Sequence, residues 1–166
     1  MTVDDWHRAG GSALPEIVST LLTPAVTRSL PPGWQGAYDL DRAAGWITER
    51  DGEGTTLLVR TLTPDMAVGL MLLYEEPTDE RPLVDVRLGY LLAEEAWGRG
   101  LGGELVGGFV DWAKAQPHVR SLIGGVAADN AASIRILERN GFDRVADGTA
   151  SDGSNTDGEL EYRLAL

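Results

Sequence analysis

Apolar positions change their spacing several times along the chain. Over residues 12–22, Leu14, Ile17, Val18, Leu21 and Leu22 recur at three- and four-residue intervals. That spacing predicts a helix behind Ser12 or Ala13, with Pro15 in its first turn. Pro31-Pro32-Gly33 then interrupts the pattern. A second helix is predicted from Leu40 to Arg50, entered through Asp39 or Asp41, with Trp46 and Ile47 on its apolar side. The period then falls towards two. Thr55 to Leu62 and Ala67 to Tyr74 are rich in strand formers and are separated by Thr63-Pro64-Asp65, a turn signal. Val84 to Leu92 is a third strand, with Val84, Val86, Leu88 and Tyr90 on one face and Asp85, Arg87, Gly89 and Leu91 on the other.

Helical spacing returns from Gly100 to Ala115, where Leu101, Leu105, Val106, Phe109, Trp112 and Ala113 form one stripe. Ser121 to Ala127 reads as a short strand, and Asn130 to Asn140 as a helix stopped by Gly141. Phe142 to Val145 and Leu160 to Leu166 read as closing strands. The order helix, helix, three strands, helix, strand, helix, two strands specifies an α+β (mixed α/β) fold. No repeat interrupts it, and 166 residues suit a single domain, 1–166.

Composition narrows the function classes. The formal net charge is -12, from 26 acidic and 14 basic residues. Such a chain is repelled by nucleic-acid phosphates and anionic membranes but attracts a cationic partner such as an amine. There is no cysteine, hence no thiolate metal site, cysteine nucleophile or disulfide. No window supplies the roughly 18 uncharged apolar residues of a membrane helix, and Met1-Thr2-Val3-Asp4-Asp5 lacks the order of a signal peptide. A cytoplasmic protein is expected. His7 and His118 have no ligand partners at metal spacing, so no metal is expected.

The chemistry concentrates in Trp97-Gly98-Arg99-Gly100-Leu101-Gly102-Gly103, which has four glycines in seven residues between a strand and a long helix. Glycines let the backbone approach a ligand, and N–H groups at a helix start donate to phosphate oxygens. Arg99 adds a charge-assisted donor. No Gly-Lys-Ser/Thr follows, which argues against nucleotide hydrolysis. Gly98-x-Gly100-x-x-Gly103 matches the dinucleotide fingerprint formally, but Ala93 to Trp97 separates it from its strand and no βαβ half precedes it.

Leu88-Gly89-Tyr90-Leu91-Leu92 … Ala96-Trp97-Gly98-Arg99-Gly100-Leu101-Gly102 resembles the coenzyme A-binding motif of the GNAT superfamily of N-acetyltransferases, Gln/Arg-x-x-Gly-x-Gly/Ala. Trp97 stands where that motif has Gln or Arg. The Trp-Gly-Arg/Lys-Gly form is similar to the RimJ/RimL branch, as is Val26-Thr27-Arg28-Ser29-Leu30-Pro31. Asn130-Ala-Ala-Ser133 … Glu138-Arg139-Asn140-Gly141-Phe142 resembles the Asn-x-x-Ser … Glu-Lys-x-Gly-Phe helix of the same family. The opening strand of that branch, Glu-Arg-Leu-x-Leu-Arg, has no visible counterpart in residues 1–13.

The resemblance implies a GNAT-type fold, a central mixed, mostly antiparallel sheet flanked by helices. It also implies direct acetyl transfer from acetyl-CoA to an amine. On that reading Leu91, Leu92 and Ala93 pair with the pantetheine arm and orient the thioester. Trp97, Gly98, Arg99, Gly100, Leu101, Gly102 and Gly103 hold the pyrophosphate, and Asn130 contacts the ligand. Ser133 protonates or hydrogen-bonds the leaving sulfur, since the tyrosine that many relatives use four residues later is Leu137 here. The strand position often acidic in relatives is Arg87, which leaves Asp85, Glu75 or Glu76 as candidate bases, or water. Local structure offers simpler roles: Asn130 as a helix cap, Ser133 as a first-turn residue, the glutamates as solvated strand ends. The Trp34 loop and the loop before the last strand would line the acceptor site. Homodimers are common in the family, though nothing in this chain marks one. The rival readings are a non-catalytic coenzyme A-binding regulatory domain and a dinucleotide-binding fragment.

Overall fold

The computed structural model describes residues 1–145 and 159–166. Its contacts fall into two compact units, residues 1–74 with 89–99 and residues 75–88 with 100–166. The strands are β1 (Thr2–Asp5), β2 (Thr55–Leu62), β3 (Asp65–Pro77), β4 (Val84–Leu92), β5 (Val119–Ala127), β6 (Asp143–Arg144) and β7 (Glu159–Ala165). Hydrogen-bonded neighbours follow the order β1-β2-β3-β4-β5-β7-β6, a mixed, mostly antiparallel seven-stranded sheet.

In the first unit β1 runs antiparallel to β2, from Thr2↔Arg60 to Asp5↔Leu57. The sequence shows no strand here because Asp4 and Asp5 spoil a run only four residues long. Pairing with β2 overrides that weak local preference. Asp5 then accepts the Arg8 N–H at 2.9 Å and so caps α1 (Trp6–Gly10). β2 and β3 form the expected hairpin, and β3 runs past the predicted limits at both ends. Gly69 is required there, because a Cβ would collide with the Leu91 carbonyl oxygen and the Leu92 side chain.

Helices α2 (Leu14–Leu21), α3 (Pro24–Thr27) and α4 (Leu40–Glu53) complete this unit. Asp39 caps α4 by accepting the Arg42 N–H at 2.8 Å. The core is aromatic. Trp46 meets Trp6, Trp34 and Tyr38 edge-on at centroid distances of 5.9, 5.5 and 6.4 Å. Such pairs contribute about 0.5–1.5 kcal/mol each beyond the area they bury. Trp6 Nε1 donates to Asp51 at 3.1 Å, and Leu14, Val18, Leu21, Leu58 and Leu70 fill the remaining space. Arg50 is buried with its guanidinium 4.1 Å from the Trp34 ring centroid, and its Nη2 donates to Glu53 at 2.6 Å.

In the second unit β4 runs parallel to β5, β5 antiparallel to β7, and β6 antiparallel to β7. α5 (Leu101–Lys114) buries Leu105, Val106, Phe109, Val110 and Ala113. Trp112, expected on that stripe, is 50% exposed and stacks on Phe109 at 5.4 Å. Val110 occupies the buried place instead, so the apolar face is rotated from the predicted one. α6 (Ala131–Arg139) begins at Asn130 and stops at Gly141, which has φ 85°. Its Leu137 packs on Gly124 of β5, where a Cβ would lie 3.2 Å from Leu137 Cδ2. Among the described residues no helix is long and apolar enough to cross a membrane.

Candidate functional site

The site residues expected from sequence divide between the two units. In the first, β4 ends at Leu92, and a single 3₁₀ turn, Glu94–Ala96, leads to Trp97. The Ala93 N–H donates to the Val68 carbonyl at 2.8 Å. The Leu92 carbonyl accepts the Trp97 indole N–H at 2.8 Å. Two main-chain groups of the expected pantetheine edge thus already have partners, although a carbonyl oxygen keeps a second lone pair. Gly98 has φ 68°, and Gly98 and Arg99 are exposed.

In the second unit Gly100 precedes α5 with φ 79°, a left-handed conformation that favours glycine. No side chain caps α5 or α2, whereas Asp5, Thr23, Asp39 and Asn130 cap α1, α3, α4 and α6. The first intrahelical bond runs from the Glu104 N–H to the Gly100 carbonyl at 3.1 Å. The N–H groups of Leu101, Gly102 and Gly103 lie ahead of it, where a helix has no partner of its own. A Cβ at Gly100 or Gly103 would meet nothing within 4 Å, so open space surrounds both. Gly100 is exposed, whereas Leu101 and Gly103 are half-buried and Gly102 is buried, so the first-turn donors stand at the positive end of a 14-residue helix, the end suited to an anion.

Asn130 accepts the Ser133 N–H at 3.2 Å, so it is the cap of α6. Ser133 is half-buried in the first turn of that helix. Asp85 lies elsewhere. It accepts Ser121 Oγ at 2.7 Å, Arg120 through two nitrogens at 3.0 and 2.5 Å, and Arg163 Nη1 at 3.2 Å. Residue alternation puts Ser121 and Gly124 on opposite faces of β5, and α6 packs at Gly124. The cluster around Asp85 is therefore on the sheet face away from the helix that carries Ser133. Burial works to raise the Asp85 pKa. Hydrogen bonds from Arg120 and Ser121, with the Arg120 and Arg163 charges, outweigh it and hold the carboxyl below the usual carboxylate range. A carboxylate engaged by Arg120, Ser121 and Arg163 has few lone pairs left to take a proton, which counts against Asp85 as the base. Glu75 is exposed on β3. Glu76 is engaged by Arg87 Nε at 2.7 Å, and Arg87 also reaches Glu161 at 3.2 Å.

The sequence reading missed Arg120, Ser121 and Arg163, which lie 35, 36 and 78 residues from Asp85. The available signal was weak: charged residues at alternate positions in Glu161–Arg163, matching Asp85 and Arg87 on β4. The loop before the last strand, expected to line the acceptor site, lies outside the described residues.

These features define an α+β fold in which the fourth strand leads through a glycine turn into a helix whose start no side chain caps. The acetyltransferase (GNAT) domain model matches residues 11–143, and the chain belongs to the GNAT acetyltransferase family. Its class is accordingly N-acetyltransferase. Among solved structures it is similar to a ribosomal-protein-alanine N-acetyltransferase from Brucella melitensis, 25% identical over 100% of both chains with a TM-score of 0.65. It is also similar to a GNAT-family acetyltransferase from Bacillus anthracis, 14% identical over 98% of this chain and 93% of that one, TM-score 0.74. The aminoglycoside acetyltransferase AAC(6')-Ib in complex with coenzyme A is 20% identical over 99% and 94%, TM-score 0.73. A search of curated proteins gives no match.

Proposed function

We propose that the protein moves an acetyl group from acetyl-CoA directly to a primary amine within a ternary complex. The observation that carries the donor half is the uncapped start of α5 behind two left-handed glycines, supported by family membership. In this reading the N–H groups of Leu101, Gly102 and Gly103 take the pyrophosphate, with Arg99 beside them, and the main chain at Leu91–Ala93 takes the pantetheine arm.

In the transfer the amine nitrogen forms a bond to the thioester carbonyl carbon and the carbon–sulfur bond breaks. The amine releases a proton and the departing thiolate gains one. Ser133 supplies the proton or hydrogen bond to the sulfur. With Asp85 committed to its arginines, the amine proton leaves through water or through exposed Glu75. The net charge of -12 favours a cationic acceptor. A protein N-terminus, as with the Brucella relative, and a small amine, as with the aminoglycoside enzyme, are the two acceptor classes to compare. The lack of cysteine suits a reaction without a covalent enzyme intermediate, in the cytoplasm.

Mass-resolved acetyl transfer across an amine panel tests the reading. Product formed on an amine supports it. Coenzyme A binding with no transfer to any amine favours the regulatory-domain reading, to which the occupied Asp85 lends weight. Ser133→Ala is expected to lower kcat about 10²-fold with little change in coenzyme A affinity. Unchanged kcat would remove Ser133 from the chemistry.

A further inference from the structure

Trp97 replaces the Gln or Arg of the motif, and its side chain does not point its donor outward. The indole N–H donates to the Leu92 carbonyl at 2.8 Å, while the ring stays 48% exposed. That bond closes the base of the excursion between the end of β4 and Gly98. The excursion is fixed at other points too. The Ala96 N–H donates to Ala93 at 2.9 Å and the Trp97 N–H to Glu94 at 3.1 Å. Ala93 is held by Val68, and Thr23 Oγ1 donates to Glu94 Oε1 at 2.7 Å. The indole bond is the link in this set that ties the residue opening the glycine turn directly to the strand end.

We propose that Trp97 is a positioning residue: a staple that fixes the entry of the glycine turn against the end of β4, so that a ligand engaging both segments at once finds them correctly spaced. The inference rests on the acetyl-CoA reading above. It assigns the indole N–H to the protein itself and not to a phosphate oxygen. A ligand long enough to touch both the strand end and the turn gains from fixed spacing, because its second contact forms at high effective concentration. A fragment that touches only one segment gains nothing from it.

The test compares coenzyme A with its two halves, pantetheine and 3′-phospho-ADP, by calorimetry and ligand-observed NMR on the whole protein. Trp97→Phe keeps the ring and removes the N–H. It is expected to weaken coenzyme A about three- to tenfold, the worth of one hydrogen bond. Both fragments should keep their affinity, and the KM for acetyl-CoA should rise by the same factor at unchanged kcat. Trp97→Gln, whose amide can donate to the same carbonyl, should recover part of the loss. Thermal unfolding of both variants checks that the half-exposed position leaves the fold intact. The staple is overturned if either fragment weakens as much as coenzyme A, since the indole N–H would then serve the ligand directly. It is also overturned if coenzyme A affinity does not change. Failure of the unaltered protein to bind coenzyme A would overturn the donor reading and the staple together, an outcome distinct from both.

Discussion

The two compact units keep order by different means. In residues 1–74 and 89–99, one tryptophan meets three other aromatic rings edge-on, and the buried Arg50 guanidinium sits over one of the three, Trp34. In residues 75–88 and 100–166, one face of the strands packs on helices while the other carries Asp85 with Arg120 and Arg163, and Arg87 with Glu76 and Glu161. Shape holds the first, and paired charge contributes to the second. The first should therefore be the more sensitive to lost aromatic volume, and the second the more sensitive to pH at its buried carboxylate.

The largest expected effect comes from Trp6→Ala, which empties a site only 1% exposed and removes one of the three rings packed on Trp46. A loss of about 3–5 kcal/mol is expected, read by urea unfolding and nearly constant between neutral and mildly acidic pH. A strong pH dependence would break the contrast.

Asp85→Asn should cost less, about 1.5–3 kcal/mol at neutral pH, the worth of hydrogen bonds to a charged group. Because the folded pKa of Asp85 is depressed, its stabilisation is fully present above the unfolded carboxylate value and is lost as pH falls through the folded one. The difference between variant and unaltered protein should shrink on acidification below about pH 4. A gap that stays constant at acid pH would show that the carboxylate charge is not what matters.

The smallest effect on the fold, and the most specific to the ligand, is expected from Gly103→Asp. Its Cβ enters open space, and an acid in the first helical turn is favourable to the helix. Stability should hold or rise slightly while coenzyme A binding weakens at least about tenfold, or about 1.4 kcal/mol. Undiminished affinity would place the pyrophosphate elsewhere than α5.

Most of the helices and the long strands were legible because their signals are local. α4 carries its cap at Asp39, α6 its cap at Asn130 and its stop at Gly141, and β2 and β4 have the bounds that alternation predicts. β1 was not legible, since its stability comes from pairing with residues more than fifty positions away. Trp112 misled because helical spacing alone does not separate the centre of an apolar stripe from its shoulder. At the site, the glycine turn could be read from four residues of one type. The commitment of Asp85 could not, because each of its partners comes from a strand distant in sequence. Trp97 was visible as a departure from a motif, but its bond to Leu92 required the chain to fold back over five residues.

Gly124 offers a further consequence. With hydrogen in place of a methyl group, it lets Leu137 settle so close that a Cβ would stand 3.2 Å from the leucine. Leu137 belongs to the same rigid helix as Ser133, four residues along. One methyl group at residue 124 would thus act as a shim against Leu137, which would have to give by a few tenths of an ångström. Any such adjustment reaches Asn130 and Ser133 together, since both stand at the start of the helix that Leu137 seats on the sheet.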